Sequence, residues 1–327
     1  MGRQIVIIGA GLAGLAAARL LQQAGHKPLL LDKGRRIGGR CGTRRSEGYL
    51  FNHGAQFITA SSSDFSVFCR DAAAAGIIAE WDIGRRWTTY TGQPSMRALP
   101  SWMATGLDIH QMCEISHINR GIDGRVELTT TADKTFSAEQ LIITAPAPQT
   151  ERLLANVSPH LSALAQQAQY APCWTIMAGF DDQLQSLPLF GSDLSDMISW
   201  YVVEGARPGG TADAPAITIQ ASGIWSQTHL EEEADHIAEA IFTEFVSRTG
   251  LSAKPALLQA HLWRYAKVII PSIADHNRDD GIFIAGDWCP PETAQTDSGT
   301  PYIPTGSRAE DAFLSGVQAA RAVLGTT

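Results

Sequence analysis

Three stretches of this 327-residue chain have residue types and spacing that could do chemistry. The first is Gly9-Ala10-Gly11-Leu12-Ala13-Gly14, a G-x-G-x-x-G run directly after the apolar Ile5-Val6-Ile7-Ile8. Gly9 permits a tight turn, Gly11 lets a diphosphate approach bare backbone, and Gly14 lets a following helix pack closely on a sheet. The free amides and positive dipole end of that helix would face the anion. Asp32, about 20 residues on, closes a second apolar run and could accept hydrogen bonds from an adenosine ribose. The second stretch, Lys33 to Arg45, is rich in glycine and arginine and reads as a loop laid over something. Arg40 is placed to neutralise an anion. Arg44 and Arg45 could meet a second one, such as a phosphorylated substrate, or simply be solvated. The third is Asn52-His53-Gly54-Ala55-Gln56-Phe57, where the small pair Gly54-Ala55 allows close approach to a flat ligand.

The elements that would position these residues are legible in part. Strand, turn, helix and strand follow one another from Ile5 to Asp32, the helix running from Leu15 to Ala24 and stopped by Gly25. A helix is expected from about Asp64 to Ala75, capped by Ser63 or Asp64, and another from Pro94 to Thr105. Asp123-Gly124 between alternating runs predicts a hairpin. The apolar Leu141-Ile142-Ile143-Thr144, halted at Ala145-Pro146, reads as a return to a buried parallel sheet. From Gln149 to Ala266 strand candidates alternate with loops, and Thr228-His229-Leu230-Glu231 predicts a capping box opening a helix to Arg248. The acids Glu231 to Glu233 then need no partner. Ile282 to Trp288 reads as a strand ending in Gly286-Asp287, and a final helix is expected from Ser307 to Leu324. The class is α/β: a Rossmann-like dinucleotide-binding domain over 1–60, 92–148 and 268–327, and a second, substrate domain of mixed sheet and helices over 61–91 and 149–267.

Composition narrows the function. A 44% hydrophobic, 18% charged chain is globular, and a net charge of −8 argues against nucleic acid as a partner. No apolar run approaches the ~20 residues of a membrane span. The first strand begins at once, so a cytoplasmic protein without a signal peptide is expected. Five cysteines, widely spaced and without C-x-x-C, exclude a zinc ribbon and suit a reducing compartment. No metal site is expected.

Taken together, the N-terminal glycine unit with Asp32, Gly38-Gly39-Arg40, Gly286-Asp287 and Arg308-Ala309-Glu310-Asp311-Ala312 resemble the glutathione-reductase-type flavoproteins of the amine oxidase branch. His53-Gly54-Ala55-Gln56-Phe57-Ile58-Thr59 and Trp263-Arg264-Tyr265-Ala266 are most similar to the bacterial renalase family within it. The resemblance implies FAD, with Gly9, Ala10, Gly11, Leu12, Ala13 and Gly14 at the pyrophosphate, Asp32 at the adenosine ribose and Arg40 at the phosphates or nearby backbone. It implies further contacts from Lys33, Gly39, His53 and Ala145, and main-chain bonding of adenine by Ile115. Gly54, Ala55, Gln56 and Phe57 would border the isoalloxazine, Asp287 would accept from a ribityl hydroxyl, and Gly306 and Ser307 would face the flavin N1/C2 edge. A second Gly-Asp strand end some 250 residues after the first turn independently favours FAD over NAD, because an extended FAD reaches both places.

The family reaction would be oxidation of 2- and 6-dihydro-NAD(P) isomers to NAD(P)+, hydride passing to flavin N5 and O2 returning the flavin to its oxidised state with release of H2O2. Such a donor needs no prior deprotonation, so binding is mainly orientation. Gln56, Phe57, Trp263, Arg264, Tyr265, Trp288 and Tyr302 are the candidate substrate contacts. Each aromatic could equally be core, and Arg264 could equally form a structural ion pair. Lys267 is a candidate for oxygen activation. The alternatives are an amine oxidase acting on a small amine and a non-catalytic FAD-binding protein.

Overall fold

The computed structural model describes residues 4–184, 187–210, 215–272, 278–291 and 307–326. Ile5–Ile8 is buried on both faces, as a central parallel strand must be. It pairs in parallel with Leu29–Leu31 on one side and Gln140–Ile143 on the other. The sheet runs Arg278–Asp279, Ile282–Ile284, Gln140–Ile143, Ile5–Ile8, Leu29–Leu31, Asp108–His110, all parallel except the first pair. The expected return of Leu141–Ile143 and the late Ile282–Ile284 to the first sheet is therefore present. The helix Leu12–Gln23 follows the glycine turn. The last helix, Ala309–Leu324, packs on it so closely that a Cβ on Gly316 would lie 2.1 Å from the Ala13 carbonyl oxygen.

The second layer is a five-stranded sheet ordered Phe190–Ser192, Ile198–Val203, Ala216–Ala221, Gln169–Gly179, Leu257–Ile270, antiparallel throughout. The helix Ala234–Thr249 covers one face with Ile237, Ile241 and Phe245. The Asp123-Gly124 hairpin joins Ile115–Arg120 to Val126–Thr130 as expected. The hairpin Arg44–Ser46/Tyr49–Phe51 packs Tyr49 and Phe51 on Met177, Ala216 and Leu257, and a small sheet of Ile58–Ala60, Thr88–Gly92 and Ile78–Glu80 joins Ile58, Ile78 and Tyr90 to the core of the first sheet. No helix among the described residues is long and apolar enough to cross a membrane.

Four local expectations are corrected. The helix expected from Thr228 is two helices, Gly223–Thr228 and Ala234–Thr249. Thr228 Oγ1 donates backward to the Trp225 carbonyl at 2.9 Å instead of capping forward, and the His229 ring stacks on Trp225 at 3.9 Å. Ser222 and Glu233 hold the N-cap positions. The helix expected from Pro94 covers only Ala98–Met103, because Asn52 and Thr43 side chains capture the Met96 and Arg97 amides. Ser62, one residue before the expected cap, accepts from the Phe65 amide to open Ser63–Ala74. The last helix starts at Ala309 rather than Ser307.

Candidate functional site

The glycine turn has the shape its three glycines imply, each for a different reason. Gly9 takes φ +103°, a conformation that favours glycine. A Cβ on Gly14 would lie 2.0 Å from the Gly9 carbonyl oxygen, so the helix could not close on the turn. A Cβ on Gly11 would meet nothing within 4 Å. That open ground faces the start of the Leu12–Gln23 helix, where the Leu12 and Ala13 amides begin the turn. Gly38 and Gly39 close over it: the Gly38 amide donates to the Ala10 carbonyl at 2.9 Å, and a Gly39 Cβ would lie 3.5 Å from the Gly11 Cα. Asp32 is committed in part to the fold, Oδ2 accepting from the Ala10 amide (2.6 Å) and Oδ1 from the Gly34 amide (2.7 Å). Each oxygen keeps a second lone pair for a ribose hydroxyl. Lys33 is exposed, and Ile115 is buried at the start of its strand.

The two chain ends meet at Arg40 and Asp287. The guanidinium forks onto the carboxylate with bonds of 2.7 and 2.6 Å and also donates to the Ala266 carbonyl at 3.3 Å. Of the two roles expected for Arg40, phosphates or nearby backbone, the backbone contact is present at Ala266, and Arg40 also holds Asp287. Gly286, at φ +151°, donates to Ser315 Oγ in the last helix. Trp288 is 1% exposed, its Nε1 donating to the Ala145 carbonyl at 3.0 Å. It is core, and no open surface remains on it for a substrate. In the last helix, Asp311 accepts from the Ser307 and Arg308 amides, and the buried Glu310 accepts from Ser61 and Ser62. Gly306 and Tyr302 lie outside the described residues.

The loop after Phe51 is fixed from below by charge. Glu204 accepts from the Asn52 amide and side chain (2.8 and 2.9 Å), from Thr218 and from Arg207 Nε (2.8 Å). Arg207 donates in turn to the Gln56 backbone and, at 2.6 Å, to Gln56 Oε1. Gln56 Nε2 donates to the Asn52 and Gly54 carbonyls. Gln56 is thus a positioning residue locked in its own loop, not a free substrate contact. Phe57 packs on Trp200 with ring centroids 5.5 Å apart. Gly54 is required where it stands, since a Cβ there would lie 2.0 Å from the Arg40 carbonyl oxygen. The Ala55 amide donates to that same oxygen.

The strand Leu257–Ile270 supplies the opposite wall. Trp263 Nε1 donates to the His53 carbonyl at 2.7 Å. His261, on the same face two residues earlier, stands edge-on to His53 (5.1 Å) and to Trp263 (4.7 Å). Arg44 reaches His261 Nδ1 at 3.4 Å. Burial holds the His53 imidazole neutral down to about 3, helped by His261, Arg44 and Arg97, with the Phe51 backbone opposing. Burial and Arg44 lower His261 to about 4. Tyr265 meets Tyr170 edge-on at 5.6 Å. Arg264 points the other way into an exposed ion pair with Glu231 (2.7 Å), which corrects both its candidacy as a substrate contact and the solitary role expected for Glu231. Lys267 is exposed and makes no hydrogen bond or ion pair among the described residues. It directly follows Ala266, whose carbonyl accepts from Arg40 of the Arg40–Asp287 pair.

Residues not expected from sequence are Glu204, Arg207, His261 and Glu310. Only His261 left a trace, since alternation along a strand puts it on the face of Trp263.

The glycine turn, the Asp32 lone pairs and the close-packed Gly54–Ala55 loop fit an extended dinucleotide carrying a flat ring. The comparisons with known proteins agree. Residues 71–324 match the family Flavin containing amine oxidoreductase, and residues 7–72 match the NAD(P)-binding Rossmann-like domain. An L-amino-acid oxidase from Siganus canaliculatus is 46% identical over 68 residues, 20% of this chain and 13% of that protein. One from Mus musculus is 41% identical over 70 residues, 21% and 11% of the two chains. A protein from Exiguobacterium sp. 255-15 assigned as a protoporphyrinogen oxidase superimposes with TM-score 0.75 at 14% identity, over 99% of both chains. A putrescine oxidase bound to putrescine does so with TM-score 0.64 at 13% identity, again over 99% of each. These two structures speak for the fold.

Proposed function

The chain belongs to the flavin containing amine oxidoreductase family, with FAD as cofactor, and from this we propose that it is an oxidase taking hydride from a carbon bonded to nitrogen, with O2 as final acceptor. Two donor classes meet that description: a small amine and the dihydropyridine ring of a dihydro-NAD(P) isomer. The family match and the amino-acid oxidase relatives favour the amine. The side chains favour the dihydropyridine, the renalase-type reading, and we adopt it.

One observation carries that choice. Beside the Gly54–Ala55 loop, the centre formed by Arg44, His53, His261 and Trp263 is cationic, holds both imidazoles neutral and has no carboxylate bonded to it among the described residues. An alkylamine arrives as a cation with a pKa of about 10, is repelled by Arg44 and must lose a proton before it can give up hydride. A dihydropyridine is uncharged at the reacting ring and needs no base. FAD, when bound, supplies the two-electron acceptor that O2 can discharge. The chain's own part is to place the donor: the half-buried Trp263 lines its place beside His53 and His261, Gln56 and Arg207 keep the Gly54–Ala55 loop still, and the Arg40–Asp287 pair joins the ends of the cofactor track.

The rate of anaerobic flavin reduction as a function of pH tests this. Hydride transfer from 6-dihydro-NAD should be nearly flat between pH 6 and 9. A rate climbing about tenfold per pH unit, as for a donor that must first lose one proton, would overturn the reading.

A further inference from the structure

We propose that Arg44, His53 and His261 form a phosphate-binding subsite that holds the diphosphate of the substrate dinucleotide; this deepens the dihydronicotinamide reading and rests on it. Arg44 carries a full positive charge whose one polar side-chain neighbour among the described residues is an imidazole, at 3.4 Å. His53 is only 7% exposed, and its Nδ1 makes no hydrogen bond of good geometry. A buried polar atom left this way is costly unless something else completes it. The titratable and charged side chains that act on His53 are His261, Arg44 and Arg97, none of them an anion.

Position fits the charge. The Arg40–Ser46 segment runs along the Leu257–Ile270 strand, with Arg40 meeting Ala266, Arg44 meeting His261 and Ser46 Oγ meeting Gln259 at 3.5 Å. The proposed subsite lies between the cofactor pair at Arg40 and the outer end of the strand. It is two residues, about 7 Å, beyond Trp263, within reach of a nicotinamide's first phosphate when the ring lies on that indole. A planar carboxylate would be satisfied by the guanidinium fork alone. A fork plus two imidazoles, converging from three chain segments, suits a tetrahedral oxyanion with more acceptors.

The test uses the FAD-loaded protein, so that the cofactor's own phosphates are already seated. Inorganic pyrophosphate is titrated calorimetrically at pH 7. The expected result is saturable binding, at least tenfold weaker in Arg44→Gln and weaker in His261→Asn, while the flavin spectrum and melting temperature match the parent. Equal affinity in Arg44→Gln would overturn the subsite, as would glycine binding as tightly as pyrophosphate. The two readings fail separately. Flavin reduction by 6-dihydro-NAD that ignores both pyrophosphate and Arg44→Gln keeps the function and removes the subsite. Arg44-dependent pyrophosphate binding without any reduction keeps an oxyanion subsite and removes its assignment to this dinucleotide.

Discussion

A methyl group added at Gly11 and one added at Gly14 have opposite expected effects. Gly11 has φ −81° and open space where its Cβ would stand. Gly11→Ala should therefore fold with the parent's urea midpoint when stripped of FAD, yet hold FAD at least tenfold more weakly. Gly14→Ala drives its methyl onto the Gly9 carbonyl oxygen, and overpacking of this kind costs about 1–3 kcal/mol or more, visible as a lower urea midpoint with or without cofactor. The histidines give a pH prediction. The folded values of about 3 for His53 and about 4 for His261 lie below the ordinary 6.5. Below pH 6.5 the unfolded chain therefore binds more protons, and stability present at neutral pH is lost as pH falls toward 4 and 3. The slope is at most about 1.4 kcal/mol per pH unit for each histidine, and it extends over a narrower pH range for His261, whose value is lowered less. Urea midpoints at pH 7 and 5 should differ less in His261→Asn than in the parent. At this scale the sequence showed which residue types cluster, but not their partners. Arg264 and Gln56 both looked like ligand contacts, and both bond to protein.

Among the elements, the Asn52–Phe57 loop depends on Glu204 and Arg207, about 150 residues away. Arg207→Met removes the cation paired with the buried Glu204 carboxylate and should cost about 3–5 kcal/mol, with a shifted flavin absorbance band in whatever protein still folds. The exposed Arg264–Glu231 pair is the contrast. Arg264→Gln should leave both the urea midpoint and the oxidase rate unchanged, and a large loss of rate would restore Arg264 as a substrate contact. Elements set by local pattern were legible: the glycine turn, the buried apolar strands and the Asp123-Gly124 hairpin. The helix expected across Thr228 was not, because Thr228 and Glu231 satisfy a capping pattern while the Thr228 hydroxyl bonds backward and Glu231 pairs with a distant arginine. The pattern records residue types, whereas the partner is set by tertiary packing.

For the whole molecule, the first strand, the Gly286-Asp287 strand end and the last helix close on one another, so the cofactor track exists only when both ends of the chain are in place. That much could be read from two motifs in order. The Arg44–His261 contact could not, since it joins residues 217 apart, and the substrate assignment turns on it. The direct measurement is anaerobic mixing of the FAD-loaded protein with 6-dihydro-NAD in one syringe series and with putrescine or an L-amino acid in another, followed by flavin absorbance. The account predicts full bleaching by the dihydronicotinamide, formation of one NAD+ per flavin, and one H2O2 per flavin when air is admitted. Bleaching by the amine or amino acid, with the dihydronicotinamide inert, would contradict it.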